Sequence, residues 1–247
     1  MESQWGDSFL SGQRVLVIAP HADDETYGCA GTIARVKSLG GEAHVLLGSL
    51  GGIDHYGPDG TGEMMHRVTA DTRLNEFNTV MEMLKVDDWE VMFADESLHM
   101  ALDTVPRKDL VRMIERDARL SVESIQPTMM LIPSMSYNQD HEALFRACMT
   151  AARPGLRTER HLVPFVLGYD NTSLFWSPEN ERFHPNLYVD VSDFLDIKIK
   201  ALQAHASQVR GALFHGSPKG LELQSRLRGR EISVEAAEGF VVHRAVF

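Results

Sequence analysis

Apolar residues along this chain come in short dense runs, separated by longer stretches in which they recur every three or four positions. The runs RVLVIAP (14–20), EAHVLLGS (42–49), WEVMFAD (89–95) and TMMLIPS (128–134) have the length and apolar density of buried strands. Between them the period is helical. A helix is predicted from about Thr26 to Leu39, with Gly40-Gly41 as its stop. Leu74, Phe77, Val80, Met81 and Leu84 recur at helical spacing within a second stretch from Met64 to about Lys85. Pro106 opens a third helix of about eighteen residues, with Leu110, Met113, Ile114 and Ala118 on one face. A fourth runs from about His141 to Ala152.

This alternation predicts an α/β fold, a mostly parallel sheet whose strands are joined by crossover helices. The segment LGGIDHYGPDGTGE (50–63) is too polar and glycine-rich for a core, and reads as a long loop at the C-terminal end of a strand. Open α/β sheets place ligands at that edge. The final hundred or so residues are less regular: 164–169, 186–192 and 239–247 read as strands and 193–209 as helical. No Ser/Gly-rich linker or internal repeat interrupts the chain, which favours one domain over 1–247 with a C-terminal elaboration.

Composition narrows the function classes. With 43% hydrophobic and 24% charged residues the chain is an ordinary globular one. A net charge of -11 argues against a nucleic-acid or anionic-membrane partner, because either needs a Lys/Arg patch. Cys29 and Cys148 imply no disulfide framework, and both fall inside apolar helical patterns, as packing residues do. No apolar run approaches the ~20 residues that span a bilayer, and MESQWGDSFLSGQ lacks the basic start and apolar stretch of a signal peptide. The expectation is a soluble, cytoplasmic protein without membrane insertion.

The chemistry is concentrated where the first strand ends. PHADDE (20–25) places His21, Asp23, Asp24 and Glu25 beside a core, where carboxylates repel one another unless something positive sits among them. His21 and Asp24, three apart in a turn, can converge on one cation, leaving Asp23 near it and free to take a proton. His141 follows the fourth strand at the matching place, and the strand ends of a parallel sheet share one edge. Two histidines and one carboxylate with an open position suit hydrolytic zinc, although other divalent ions accept the same ligands. The acidic cluster alone reads equally as a capped helix start with acidic first-turn residues, and a lone histidine in DHEAL is more often a capped helix start than a ligand. Both together, at matching strand–helix junctions, favour a metal site.

PHADDE closely resembles the P-H-x-D-D-E signature of the LmbE-like family, which contains the PIG-L-type N-acetylglucosaminyl deacetylases. NQDH (138–141) resembles the family's second motif, RLNE (73–76) its R-x-x-E helix, and KALQAHASQ (200–208) its late K-x-x-x-L-x-x-H-x-S-Q stretch. The matches come in family order. The resemblance implies a Rossmann-like α/β fold, a mononuclear zinc held by His21, Asp24 and His141, and Asp23 as general base. It also implies hydrolysis of an N-acyl group, usually acetyl on an amino sugar.

One departure is Asn138, where many members have histidine. Asparagine can steady an oxyanion by an amide hydrogen bond but cannot donate a proton as imidazolium does. The proton for the leaving amine then passes to another group, with protonated Asp23 the candidate. Asp140 reads as a carboxylate that orients a ligand.

Further out, Arg67, His55, Tyr137 and Trp176 are candidates for substrate contact, and Trp176 could stack on a sugar ring. Arg73 and Glu76 can pair within their helix or support the site, and His205 and Gln208 share one face if their segment is helical. The remaining histidines, His99 among them, have no ligand spacing and read as surface or core residues. The leading expectation is therefore a zinc-dependent deacetylase acting on a small N-acylated amino sugar or conjugate, with homo-oligomerisation open. An amidase for a thiol conjugate or acylated natural product is the nearest alternative. A non-catalytic Rossmann-like nucleotide-binding or sensing module is the third, and the acidic first turn with no G-x-G-x-x-G speaks against it.

Overall fold

The computed structural model describes residues 4–56, 64–171, 183–209 and 211–247. Its first half runs α1 (Gln4–Ser11), β1 (Arg14–Ala19), α2 (Asp24–Ser38), β2 (Glu42–Ser49), β3 (Ile53–Tyr56), β4 (Met64–Val68), α3 (Ala70–Met83) and β5 (Asp88–Phe93). The second half runs α4 (Arg107–Arg112), α5 (Val122–Ile125), β6 (Met129–Pro133), α6 (Gln139–Ala151), β7 (Phe165–Tyr169), β8 (Leu187–Asp190), α7 (Leu195–Ala204), α8 (Pro218–Glu231) and β9 (Ala237–Arg244).

Seven strands form one sheet in the order β5-β2-β1-β6-β7-β9-β8. The first five are mutually parallel, while β9 pairs antiparallel with both β7 and β8. Strands β1, β2, β6 and β7 are buried along most of their length, which is why their sequences show dense apolar runs rather than alternation, while the edge strand β5 is only partly buried. Along β1, Val15, Val17 and Ala19 face a core shared with α1, α2, α3 and α7, while Leu16 and Ile18 face one shared with α4, α5 and α6. The chain leaves β1 toward β2 on one side and reaches β6 on the other. The crevice above β1 and β6 is thus the sheet's topological switch point.

Several elements differ from the sequence reading. Part of the expected 50–63 loop is strand β3, and the expected helical start at Met64 is strand β4, paired antiparallel with it as a separate two-stranded ribbon. Helix α3 begins only after Thr69, whose hydroxyl accepts from the Thr72 amide. The long helix after Pro106 is α4 followed by a π turn over Met113–Asp117. The 193–209 stretch divides into α7 flanked by two 3-10 turns. Helices α1 and α8 have no counterpart in the sequence pattern, nor does the antiparallel pairing at the β9 side. These contacts join parts of the chain far apart in sequence, and local periodicity carries no record of them.

One close approach positions the site. A Cβ at Gly28 of α2 would overlap the ring of Tyr169 at the end of β7, so only glycine lets the helix lie this near the sheet. The Tyr169 hydroxyl in turn donates to the Ile18 carbonyl of β1 at 3.0 Å. Among the described residues, no helix is long and apolar enough to cross a membrane.

Candidate active site

Helix α2 starts at the C-terminal end of β1 with Asp24 and Glu25 in its first turn, where the helix dipole favours acidic groups. Asp23 precedes them at φ 131° and ψ −26°, and its side chain makes no capping hydrogen bond. A capped helix start therefore does not account for Asp23. L-residues rarely adopt such a backbone, which costs of order 1–3 kcal/mol and persists where surrounding structure holds it. The second motif behaves differently. Asn138 caps α6, its Oδ1 accepting from the amides of Asp140 at 3.0 Å and His141 at 3.4 Å.

Across the switch point the two corners meet. His21 Nδ1 lies 3.4 Å from Asp24 Oδ2, and His141 Nε2 lies 3.2 Å from the same oxygen. All three side chains are buried, and their donor atoms fall within 4.8 Å of one another. Donors about 2.0–2.1 Å from a tetrahedral ion are separated by roughly 3.4 Å. Two imidazole nitrogens and a carboxylate oxygen at these spacings fit a divalent cation.

Surrounding groups fix which atoms face inward. The other nitrogen of His21, Nε2, is 2.9 Å from Asp140 Oδ2, and Asp140 Oδ1 accepts from the Leu102 amide at 2.9 Å. A fully buried carboxylate thus orients a candidate ligand and sets its tautomer. Asp24 Oδ1 accepts from Asn171 Nδ2 at 2.8 Å, and its Oδ2 accepts from the His21 amide at 3.0 Å.

The carboxylates titrate apart. Burial would raise Asp24, but His141 and His21 outweigh it and hold Asp24 far below the usual carboxylate range. Burial, reinforced by the Asp24 charge, pushes Asp23 up to about 7. For His21, burial alone would lower the pKa, yet the carboxylates of Asp140 and Asp24, which accept from the protonated ring, lift it to about 9. A basic group near neutrality next to a cluster of potential metal donors is the arrangement that proton transfer needs.

The remaining motif residues form a supporting layer. Glu25 accepts from the amide of Asp23 at 3.0 Å and lies 2.8 Å from His205 Nε2, with both Glu25 and His205 deeply buried. Glu76 accepts from the amide and hydroxyl of Ser207 at 2.9 and 2.6 Å. Of the two readings left open for Arg73 and Glu76, pairing along α3 or support of the site, the contacts agree with the second. Arg73 turns inward and donates to the Gly51 carbonyl at 2.8 Å. His205 terminates α7, and Gln208 follows it across a 3-10 turn rather than within one α-helix. The late motif is a latch that ties α7 to the first turn of α2 and to α3.

The substrate candidates are not among the three clustered donors. Arg67 of β4 is exposed and reaches Asp54 of β3 at 3.4 Å, and His55 pairs with His66 across the same ribbon. Tyr137, beside Asn138, is half exposed. Trp176 lies outside the described residues. Sequence reasoning missed Asn171 and His99. Asn171 carried a weak signal, a polar residue just past the end of a buried strand. His99 carried none. Its ring lies edge-on to that of His21 with centroids 5.2 Å apart, and its Nε2 is 2.7 Å from Arg73 Nη1.

A family model described as PIG-L: GlcNAc-PI de-N-acetylase matches residues 16–152, a span containing both histidine-bearing corners. The chain belongs to the PIG-L family. Among PIG-L relatives, the diacetylchitobiose deacetylase of Thermococcus kodakarensis is 28% identical over 82% of this chain and 72% of its own length. A probable N-acetyl-alpha-D-glucosaminyl L-malate deacetylase 2 of Bacillus anthracis is 26% identical, covering 79% of this chain and 81% of that protein. A conserved protein of Thermus thermophilus has a solved structure that superposes with a TM-score of 0.70 at 26% identity, covering 95% of this chain and 96% of the other. Family and relatives together make this chain a hydrolytic N-deacetylase with the mostly parallel α/β fold of its PIG-L neighbours.

Proposed function

We propose that this chain is a zinc-dependent hydrolase that removes the acetyl group from an N-acetylated amino sugar or glycoconjugate. The observation that carries this reading is the convergence of His21 Nδ1, Asp24 Oδ2 and His141 Nε2 next to Asp23, whose carboxyl is raised by burial and by the Asp24 charge. The relatives support the substrate class, since two of them are named for deacetylating diacetylchitobiose and N-acetylglucosaminyl malate.

In this reading His21, Asp24 and His141 hold the ion. When bound, zinc supplies Lewis acidity, making a water easier to deprotonate and an amide carbonyl easier to attack. Asp23 accepts the proton of the attacking water, which a carboxylate lifted to about 7 does readily near neutral pH. The same carboxyl, now protonated, returns that proton to the departing amine, a role that Asn138 cannot fill. With its Oδ1 engaged in capping α6, Asn138 offers only its amide N–H bonds, which suit an oxyanion. Asp140 and Asn171 keep His21 and Asp24 in register.

The test is acetate release by the purified, zinc-loaded protein from a panel of N-acetylglucosamine glycosides and conjugates. Activity on at least one of them is expected, with Asp23→Asn lowering kcat by about 10²–10⁴-fold. An Asp23→Asn variant as active as the parent would remove the proposed base from the mechanism.

A further inference from the structure

We propose that His99 is a positioning residue of this site, accepting the hydrogen bond that aims the buried Arg73 guanidinium at the loops flanking Asp23. The proposal rests on the deacetylase reading for its kinetic test alone.

Arg73 is 2% exposed, and among the described residues no carboxylate lies within ion-pair distance of it. Its charge is instead held by neutral acceptors from three strand-end loops. Nη1 donates to the Gly51 carbonyl after β2 at 2.8 Å and to His99 Nε2 after β5 at 2.7 Å, and Nη2 makes a longer contact of 3.4 Å with the Ala22 carbonyl after β1. Ala22 immediately precedes Asp23, the residue held at φ 131°. Arg73 Nε is already buried without a partner. Loss of a further acceptor would leave a second buried N–H unmet, and that is costly for a cation.

Guanidinium groups have donors only, so His99 Nε2 must be the acceptor. Its hydrogen then sits on Nδ1, 3.4 Å from Ser49 Oγ. Packing holds the ring in this role from two further sides. It lies edge-on to His21, and a Cβ at Gly51 would come within 2.6 Å of the His99 Cβ. His99 is thus wedged between a candidate ion ligand and the arginine that ties three loops together. Its chemistry there is that of a neutral acceptor of fixed direction.

The experiment compares the 247-residue chain with its His99→Leu and His99→Gln variants, each loaded with zinc and each checked by circular dichroism to be folded at the assay temperature. Leucine fills the space without an acceptor, whereas glutamine restores one. His99→Leu should lower kcat about 10–100-fold, the effect usual for partners one step removed from a metal site, with KM changed less than about twofold, and His99→Gln should recover most of the loss. A His99→Leu enzyme with parental kcat, or a His99→Gln enzyme as impaired as His99→Leu, overturns the proposal. Nitrogen-15 NMR of the labelled imidazole gives a second readout that needs no turnover. A neutral ring protonated on Nδ1 supports the proposal, and protonation on Nε2 overturns it. If the parent protein releases acetate from no substrate, the deacetylase reading fails while the NMR result still decides the role of His99.

Discussion

Asp23 and Asp24 are neighbours in the chain with opposite electrostatic positions. Two imidazoles keep Asp24 ionised, while burial and the charge on Asp24 lift Asp23 to about 7. A base must be unprotonated to act, so turnover should fall as pH drops through the Asp23 value, giving an acid limb in the pH–rate profile near neutrality. A bound dication favours the carboxylate form and draws that limb toward lower pH. Asp140→Asn should behave differently from any change at Asp23. It weakens the orientation of His21, costing about 10–100-fold in activity or metal affinity, but leaves the acid limb in place. Kinetics of the two variants between pH 5 and 9, a span of about two units either side of neutral, separate the base from the orienting group. A limb that vanished in Asp140→Asn and persisted in Asp23→Asn would reverse the two assignments.

At the scale of elements, the late motif links three helices. His205 at the end of α7 reaches Glu25 in the first turn of α2, and Ser207 reaches Glu76 of α3. Further along α2, the buried Lys198 ammonium donates to the Tyr27 carbonyl and pairs with Glu238 of β9. The same glutamate accepts from the amides of Gly31 and Thr32 at 2.9 and 2.7 Å. Helix α2 is therefore gripped along its length by side chains from α7 and β9, and this grip aims its acidic N-terminus.

The latch has a pH signature. Burial alone would lower the pKa of His205, but Glu25 raises it above its ordinary 6.5. A raised folded-state value means that the stabilisation is fully present below about 6.5, the unfolded value. It is lost as pH climbs through the higher folded value. The difference in thermal midpoint between the parent and His205→Gln should accordingly be largest in mildly acidic buffer and shrink in alkaline buffer. A difference that grew with pH would contradict the charged pair.

For the molecule as a whole, the sheet order decides where chemistry can occur. Strands β1 and β6 are neighbours, pairing Val15 with Met129 through Val17 with Leu131, although more than a hundred residues separate them in the chain. That pairing brings His21 and His141 together at the switch point. An ion joining both corners binds the folded chain and not the unfolded one, so it should raise the thermal midpoint. The gain is about 2.7 kcal/mol at a free-ion concentration one hundred times Kd. Scanning calorimetry with and without added zinc should show that rise for the parent and lose it for His141→Ala. An equal rise in both would place the ion elsewhere.

The sequence alone determined the parts that depend on local order. Dense apolar runs marked the parallel strands, because a strand buried on both faces can expose no polar position. The placement of His21, Asp23, Asp24 and His141 just past strand ends was legible because a strand's end is punctuated in the chain itself. Only the tertiary structure decided what distant segments do to one another. It turned Arg73 from Glu76 toward Ala22, Gly51 and His99, brought Asn171 onto Asp24, folded the ribbon of β3 and β4, and reversed β9 against the parallel strands. Each of these contacts is fixed by which strands and helices lie side by side. Pairing between remote backbones and the packing of two cores determine that adjacency, and no periodicity within a short window encodes it.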